Sequence, residues 1–228
     1  MTGRRAAARA ETTATIIRLA RQQIEERGAA NISLREIARD LGMASSAVYR
    51  YFESRDQLLT VLIVETYDQL GAAVESADAG CRRDDLPGRW NAIAMAIRAW
   101  ALDHRSDYGL VFGTPVPGYS APEDTVVPAL RYTNVLVRLL ADAHAAGHRT
   151  TLHAPATKGL TREYRHVRRS IGLEVPDSML LAGLAAWSSI SGAISLEIFG
   201  HVDTVFASPG VHYSALVDML GRQLMGLG

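Results

Sequence analysis

Apolar residues recur along most of the chain at the three- and four-residue spacing of α-helices, and the alternation typical of β-strands is nearly absent. Residues 12–27, for example, place Ile17, Ala20 and Ile24 on one face, and Gly28 follows as a natural helix stop. The pattern predicts an all-α fold.

A short helix is predicted to begin after Ser33. Ser33 and Glu36 have the spacing of a capping box, in which each side chain accepts a hydrogen bond from a backbone N–H group at the helix start. Apolar residues then follow at helical spacing, at positions 34, 37, 38 and 41. This helix is therefore expected to end near the glycine at position 42.

A second short helix follows a tight connection at Gly42. We expect it to open at Ala44 or Ser45 and to bury Val48 and Phe52. Ser54 and Gln57 then form a second capping-box signature, which opens a long helix that continues beyond residue 70. Two short helices between two longer ones form a helix-turn-helix unit of three helices.

The rest of the chain also reads as helix, with two interruptions. Three prolines between residues 114 and 122 cannot continue a helix, because proline lacks the backbone N–H group. Residues 147–176 are polar and rich in His and Arg, and we interpret them as a long loop with one helical stretch. The predicted helices beyond residue 70 span residues 89–104, 107–113, 123–146, 161–171, 177–199 and 209–225.

Composition is that of a globular protein, with 48% hydrophobic and 21% charged residues. The lone Cys81 cannot form an internal disulfide, and no leader pattern is present, so we expect a cytoplasmic protein. The net charge is zero, but the first 60 residues carry ten Arg against seven acidic residues. Arg4, Arg5 and Arg9 concentrate this excess in residues 1–10, which we expect to form a flexible basic arm.

The second short helix has the composition of a surface that enters the major groove of DNA. Its outward residues are expected to be Ser45, Ser46, Tyr49 and Arg50, and no acidic residue occurs in residues 42–52. Small hydroxyl residues permit close approach to the bases, arginine can pair with guanine or phosphate, and tyrosine can contact thymine methyl groups. The sequence therefore predicts DNA binding.

Residues 33–59 read SLREIARDLGMASSAVYRYFESRDQLL, and this stretch resembles the DNA-binding domain of TetR-type transcriptional regulators. The resemblance covers about residues 11–65. It departs from the family at Ala44, where a serine usually caps the recognition helix, and at Ala47, where threonine is frequent. It implies that Ser45, Ser46, Tyr49 and Arg50 face the groove and that Ser33, Tyr51 and Arg55 face phosphates.

The resemblance also implies a domain layout and a function. The expected parts are the basic arm (residues 1–10), a helix-turn-helix domain (11–56) and a helical domain for dimerisation and ligand binding (57–228). Such a protein is most often a repressor, released from an inverted-repeat operator by a small, mostly apolar effector. We expect the long helix that begins at Arg55 to be the only covalent link between the two halves and to transmit the effector signal by pivoting.

Aromatic and apolar residues on four predicted helices are candidates for lining the effector pocket, with Arg131 and Asn134 as polar groups that could orient a ligand. The candidate pocket residues are Trp100, Tyr108, Phe112, Arg131, Tyr132, Leu136, Trp187 and Ser191.

A dimer interface is expected on the last two helices. Residues 178–196 carry no charge, but their several serines favour a buried helix of a soluble protein over a membrane span. Ala185, Ser189 and Ala193 form a row of small residues that permits close helix approach. The expected partners of this row on the final helix are Leu216, Leu220 and Leu224.

Two alternatives remain at this point. His144 and His148, with Asp142 and His153 nearby, could hold a metal, although Gly147 interrupts the helix between the two histidines. The C-terminal half could also be catalytic, although it carries no nucleotide-binding loop, zinc-protease helix or nucleophile elbow. We therefore expect a non-enzymatic protein with no catalytic residues, no metal and no cofactor.

Overall fold

A computed structural model describes residues 2–155 and 157–226, and every regular element in these ranges is helical, as predicted. The helices are α1 (Thr2–Arg27), α2 (Leu34–Asp40), α3 (Ser45–Val48), α4 (Arg55–Ala79), α5 (Leu86–Asp103), α6 (Arg105–Phe112), α7 (Val126–Ala145), α8 (Lys158–Ile171), α9 (Asp177–Ile198) and α10 (Pro209–Met225).

The chain divides into two compact units. Unit 1 contains Met1–Gln69 and His104–Ala129, and unit 2 contains Leu70–Asp103 and Leu130–Gly228. The chain thus passes between the units three times, within α4, between α5 and α6, and within α7. The expectation that α4 is the only covalent link is therefore wrong, because α6 and the segment after it belong to unit 1.

The start of α2 is held both by a local cap and by contacts with α1. The Ser33 hydroxyl accepts a hydrogen bond from the Glu36 backbone N–H at 3.3 Å, as the capping box predicts. Glu36 does not return the bond, because its carboxylate pairs with Arg27 at 2.7 Å. The backbone N–H of Ser33 instead donates to the side-chain oxygen of Gln23 at 2.9 Å. Gln23 thereby ties α1 to the start of α2.

Helix α6 and the segment after it pack onto the same core as the first three helices. Leu110, Val116 and Tyr119 contact this core, and the Tyr119 hydroxyl lies 3.0 Å from that of Thr60. Arg21 of α1 pairs with the buried Asp107 of α6 and, at 3.2 Å, with Glu65 of α4. Unit 1 is therefore more than a three-helix bundle, since α6 is one of its structural parts.

Residues 2–10 are helical and continue α1, whereas the sequence analysis expected a flexible arm. Three consecutive alanines, Ala6 to Ala8, lie between arginines, and both residue types have high helix propensity. The helix start expected at residue 12 is absent, since α1 begins ten residues earlier. The basic residues of this segment are thus held on a helix with fixed faces.

In unit 2, α5 packs against α9 and α10. The Trp90 indole N–H donates to the carbonyl of Val217 at 2.7 Å, and the Tyr213 hydroxyl donates to that of Ala94 at 2.8 Å. Helix α8 lies against α9 and begins at Lys158, three residues before the helical stretch expected from residue 161. Its C-terminal end is held by the ion pair between Arg168 and Asp177.

A buried ion cluster joins α4, α5 and α7. Arg89 is fully buried, and its guanidinium donates to Asp78 at 2.7 Å and to Asp142 at 2.8 Å. Arg83 pairs with the same two carboxylates at 2.6 and 3.0 Å but is largely exposed. Burial raises the pKa of Asp78, but hydrogen bonds from Arg89 and Arg83 outweigh it and leave this pKa below its ordinary value.

We expect Arg89→Ala to lower the free energy of unfolding by about 3–5 kcal/mol, because it leaves the buried Asp78 carboxylate without its buried partner. Arg83→Ala removes an exposed partner of the same carboxylate and should cost less than about 1 kcal/mol. Urea titrations of both variants check this contrast, and equal losses would contradict it.

The same cluster predicts a pH dependence. Because the folded-state pKa of Asp78 is lowered, its contribution to stability should be complete above the ordinary carboxyl pKa of about 3.9 and be lost as the pH falls below it. Urea midpoints of the wild type and of Asp78→Asn, measured across acid pH, should therefore converge at low pH. A constant difference between the two curves would contradict the assignment.

Candidate DNA-binding surface and ligand cavity

The second helix of the helix-turn-helix unit is short. α3 has a single helical turn, and the chain continues in turns through Tyr51. Ala44 occupies the N-cap position and provides no side-chain hydrogen bond, so the helix opens at Ser45 without a side-chain cap. Gly42 has a φ of +64°, a left-handed conformation that favours glycine and that reverses the chain between α2 and α3.

The two faces of α3 are arranged as the sequence predicts. Val48 is fully buried and Phe52 is 3% exposed, in the core formed with α1, α2 and α4. The outward residues Ser45, Ser46, Tyr49 and Arg50 are all exposed, with Tyr49 at 41%. Their contacts with bases remain predictions, but the structure presents them together on one surface.

Arg55 has a structural partner that the sequence did not reveal. Its guanidinium donates to the backbone carbonyls of Ala29 and Ala30 at 3.2 and 3.0 Å. A cation in the first turn of α4 is unfavourable towards the helix dipole, so its charge needs a compensating partner, which the family resemblance places on a DNA phosphate. The two carbonyl groups provide another physical reason for the arginine, because they stabilise its charge within unit 1.

Of the other two residues expected to face phosphates, Ser33 caps α2 and is half-buried. Tyr51 is also half-buried, and the guanidinium carbon of Arg9 lies 4.9 Å from the centre of its ring. The same guanidinium donates to the backbone carbonyl of Arg50 at 3.0 Å. The N-terminal part of α1 is thus in direct contact with the turn that follows α3.

A cavity of about 210 Å³ lies in unit 2, between α7, α8 and α9, with Trp90 and Leu224 completing its wall. Its lining includes the aliphatic residues Leu136, Val137, Val167, Ile171, Leu173 and Leu180. Thr133 and Asn134 supply polar side chains, and no charged residue is among the described residues that line it. Such a lining suits an uncharged, mostly apolar molecule.

Two of the eight candidate pocket residues, Leu136 and Trp187, line this cavity, and the other six do not. Arg131 forms a two-pronged ion pair with Glu75 at 2.7 and 2.9 Å. Tyr132 is buried, and its hydroxyl accepts from the Trp187 indole N–H at 3.3 Å.

The remaining candidates lie elsewhere in the fold. Tyr108 and Phe112 belong to unit 1, where the centres of their rings are 4.7 Å apart. Trp100 is buried in unit 2 away from the cavity lining, and Ser191 lies on α9 outside it. All eight candidates come from other helices. The α8 wall residues Val167 and Ile171 were therefore missed, although both lie in the helical stretch predicted over residues 161–171.

The predicted interface residues are only partly available to a second chain. Ala185, Ser189, Ala193 and Leu216 are half-buried. Leu220 and Leu224 are 6% and 4% exposed, because they pack inside their own unit, so the final-helix part of the prediction needs correction. Other apolar residues are exposed instead. They are Leu184, Trp187 and Leu196 of α9, Phe199 directly after α9, and Val211, Ala215 and Met219, which form a row on α10.

Helix α9 is, by length and composition, apolar enough to cross a membrane. Its most apolar stretch has a mean hydropathy of 1.6, and a third of that stretch is buried within the chain. Leu184, Trp187 and Leu196 are exposed apolar residues of this helix. Exposed apolar surface occurs at contacts with other proteins and with membranes.

The candidate metal ligands do not converge. Asp142 is held by Arg83 and Arg89, and a ring nitrogen of His148 lies 3.1 Å from the carbonyl of Met225. Within residues 2–155 and 157–226, no group of three His, Cys, Asp or Glu side chains could hold a metal ion. The geometry gives the metal-responsive alternative no support.

Both halves of the chain match known protein families. A family described as "Bacterial regulatory proteins, tetR family" matches residues 16–62. A second, "Tetracyclin repressor-like, C-terminal domain", matches residues 90–220. The two matches together include α2, α3, all of α9, most of α10 and every described cavity-lining residue except Leu224.

Relatives match over nearly the whole length. The chain is 38% identical over 224 residues to the HTH-type transcriptional regulator Rv1816 of Mycobacterium tuberculosis (strain ATCC 25618 / H37Rv), covering 96% of this chain and 94% of that protein. The crystal structure of the regulatory protein SCO4313 has a TM-score of 0.77 and 33% identity, covering 94% of this chain and 97% of the other. That of RolR has a TM-score of 0.52 at 20% identity, covering 96% and 92%, which shows a shared fold.

The family matches and the relatives agree with the helix-turn-helix unit and with the all-helical architecture. This chain belongs to the TetR family of DNA-binding transcriptional regulators.

Proposed function

We propose that this regulator is a cytoplasmic repressor that binds an inverted-repeat operator as a homodimer and is released by a small, uncharged, mostly apolar molecule. The observation that carries the effector part is the cavity in unit 2, whose described lining contains no charged residue. A volume of about 210 Å³ suits a ligand of one or two rings, because a cavity of roughly 150 Å³ can hold benzene.

The proposed DNA contacts follow from the exposed side of α3. Ser45 and Ser46 are small, so the backbone of α3 can approach the base edges closely. Arg50 can donate two hydrogen bonds to guanine, and the exposed ring of Tyr49 can contact a thymine methyl group. Ser33, Tyr51 and the unused donors of Arg55 are proposed to contact phosphates at the edges of the groove.

The proposed dimer buries exposed apolar residues of α9 and α10. A two-fold interface pairs each surface with its own copy, and an apolar surface is compatible with that pairing. Two-fold symmetry would place the two α3 helices in major grooves about 34 Å apart, or a multiple of it, on an inverted repeat. The dimer thus explains both the uncovered apolar side of α9 and the expected operator symmetry.

The effector would act by changing the shape of unit 2, and the three chain crossings give that change three covalent routes into unit 1. Effector binding and DNA binding must then weaken each other by the same factor, with a coupling free energy of about 1–3 kcal/mol. In RolR, the same fold holds the ligand resorcinol. A ligand of that general size also fits the cavity described here.

The DNA contacts can be tested with Tyr49→Ala and Arg50→Ala. Each should weaken specific operator binding by about 1–3 kcal/mol for every base interaction that it removes, without lowering thermal stability, because both side chains are exposed. Arg165→Ala removes an exposed arginine from α8, away from both α3 and the proposed dimer surface, and serves as the control of equal charge. Unchanged operator affinity in both α3 variants would refute the assignment of the groove-facing residues.

The dimer surface can be tested with Leu196→Arg. Leu196 is 47% exposed in the isolated chain, so an arginine there should leave the fold intact, yet it would bury a charge in the dimer. Sedimentation should then show folded monomers. Val205→Arg, at an exposed apolar residue outside both helices, should remain dimeric. A dimer that persists in Leu196→Arg would move the interface elsewhere.

The cavity can be tested with Leu136→Trp, which fills part of the space with a larger side chain. Native mass spectrometry of the protein from its host would identify the bound molecule, and gel-shift titrations would then measure release. The variant should bind operator with wild-type affinity but need at least about tenfold more of that molecule for release, since weakening effector binding by about 1.4 kcal/mol is tenfold. Val127→Trp, on the exposed start of α7, is the control. Release at an unchanged effector concentration would exclude this cavity.

A further inference from the structure

The N-terminal part of α1 is fastened to the recognition turn, residues 49–51 directly after α3, by one arginine. The Arg9 guanidinium donates to the backbone carbonyl of Arg50 at 3.0 Å, and its carbon lies 4.9 Å from the ring centre of Tyr51. Hydrogen-bonding and cation–π contacts of this kind hold a guanidinium in a defined orientation. Both partners are among the residues proposed to contact DNA.

This contact compensates for a weakness of α3. A helix of one turn has little stability of its own, and its N-cap residue, Ala44, forms no side-chain hydrogen bond. Carbonyl groups at the end of a helix lack partners within it, and arginine side chains can satisfy them. Arg9 does this for the carbonyl of Arg50, so a residue 41 positions away stabilises the end of the recognition helix.

Because residues 2–10 are helical, helix geometry shows which other arginine lies on the same side of α1 as Arg9. Ile16 and Ala20 of α1 are fully buried in the core of unit 1, and Arg9 lies on the same side of the helix, seven residues before Ile16. Arg5 is four residues before Arg9, so it lies on that side about 6 Å further along the axis. Arg4 is displaced from Arg5 by about 100° around the helix.

We propose that Arg9 is a positioning residue that fixes the first turns of α1 against the recognition turn, and that Arg5 on this helix contacts a phosphate beside the major groove. We assign Arg9 the positioning role because its guanidinium already contacts both Arg50 and Tyr51 in the free protein. A direct DNA contact by its remaining donors is the outcome that additive effects of Arg5 and Arg9 would reveal. The proposal rests on the DNA contacts proposed above and deepens them, since it adds a second element next to α3.

The helical arrangement and a flexible arm predict different behaviour. In a flexible arm, Arg4 and Arg5 are equivalent, and each must lose conformational freedom when it binds DNA. In the fixed helix, the entropy cost of ordering residues 2–10 is met when the protein folds, and Arg4 and Arg5 differ because they face different directions. A difference in DNA affinity between Arg4→Ala and Arg5→Ala therefore distinguishes the fixed helix from a flexible arm.

The test uses the full-length protein and an operator duplex recovered from random-sequence DNA by repeated selection with the wild type. Binding constants are measured across a range of salt concentrations for Arg4→Ala, Arg5→Ala, Arg9→Ala and the double variant of Arg5 and Arg9. Arg5→Ala removes one phosphate contact from each half of the dimer, so it should lower the salt slope by about 1.8 and weaken binding roughly thirtyfold at about 0.15 M salt. Arg4→Ala should leave the slope unchanged.

Arg9→Ala should weaken binding at least as much as Arg5→Ala, and the double variant should be no weaker than Arg9→Ala alone. This lack of additivity is expected because Arg5 loses its position once Arg9 is removed. Arg18→Ala is the matched control: it removes an exposed arginine from the opposite side of the same helix and should not alter binding. Arg9→Lys, which keeps a cation over Tyr51, should restore part of the affinity.

Hydrogen exchange of the free protein supplies a readout that does not involve DNA. Exchange of the backbone amides in residues 3–10 should become faster in Arg9→Ala and remain unchanged in Arg5→Ala. Equal losses of affinity in Arg4→Ala and Arg5→Ala would overturn the fixed helix in favour of a flexible arm. Additive effects of Arg5 and Arg9 would mean that Arg9 contacts DNA independently.

Failure of this proposal is distinguishable from failure of the groove contacts. If Arg5→Ala and Arg9→Ala bind as the wild type while Tyr49→Ala does not, the helical extension has no role in DNA binding and the groove assignment stands. If Tyr49→Ala also binds normally, the assignment of α3 itself is wrong.

Discussion

Burial of Val48 and Phe52 is the constraint on which the DNA-binding surface depends. A single helical turn is not stable alone in water, because the conformational entropy lost in nucleating it exceeds the free energy that its few hydrogen bonds contribute. These two side chains are anchored in a core built from α1, α2 and the start of α4, and this anchoring fixes which residues of α3 face outward. The exposed side can therefore consist of small and polar residues without loss of order.

The core around α3 also explains why α6 belongs to unit 1. Residues 104–129 are far from the helix-turn-helix unit in sequence, yet Arg21 binds Asp107 and Tyr119 meets Thr60. A regulator that changes shape in unit 2 thus acts on a DNA-binding unit that already includes part of the C-terminal half. The predicted boundary near residue 56 between a DNA-binding domain and a ligand-binding domain therefore differs from the boundary between the compact units, since unit 1 also contains His104–Ala129.

Local signals in the sequence were sufficient for the starts of α2 and α4 but not for long-range partners. The Ser33 and Ser54 hydroxyls accept from backbone N–H groups three residues later, so both helix starts were predictable. No spacing rule reveals a pair such as Arg9 and Arg50, because it depends on how helices pack. Packing also decides that Trp100 fills the core instead of lining a cavity. For α9, the sequence predicted a buried helix with a row of small residues for dimer packing, but not which of its faces the chain covers itself.

The ion pairs of unit 2 limit how an effector could act. The cavity wall on α7 includes Thr133, two residues after Arg131, whose side chain forms a two-pronged pair with Glu75 of α4. The Arg131 side chain packs directly on Gly71 of α4. A Cβ atom added at Gly71 would lie 2.5 Å from the Cδ atom of Arg131, so only a glycine permits this close approach of α4 and α7. A ligand that displaces this part of α7 must therefore break the ion pair or move α4 with it. Because α4 continues without interruption to Arg55, the second outcome changes the support on which the recognition turn rests.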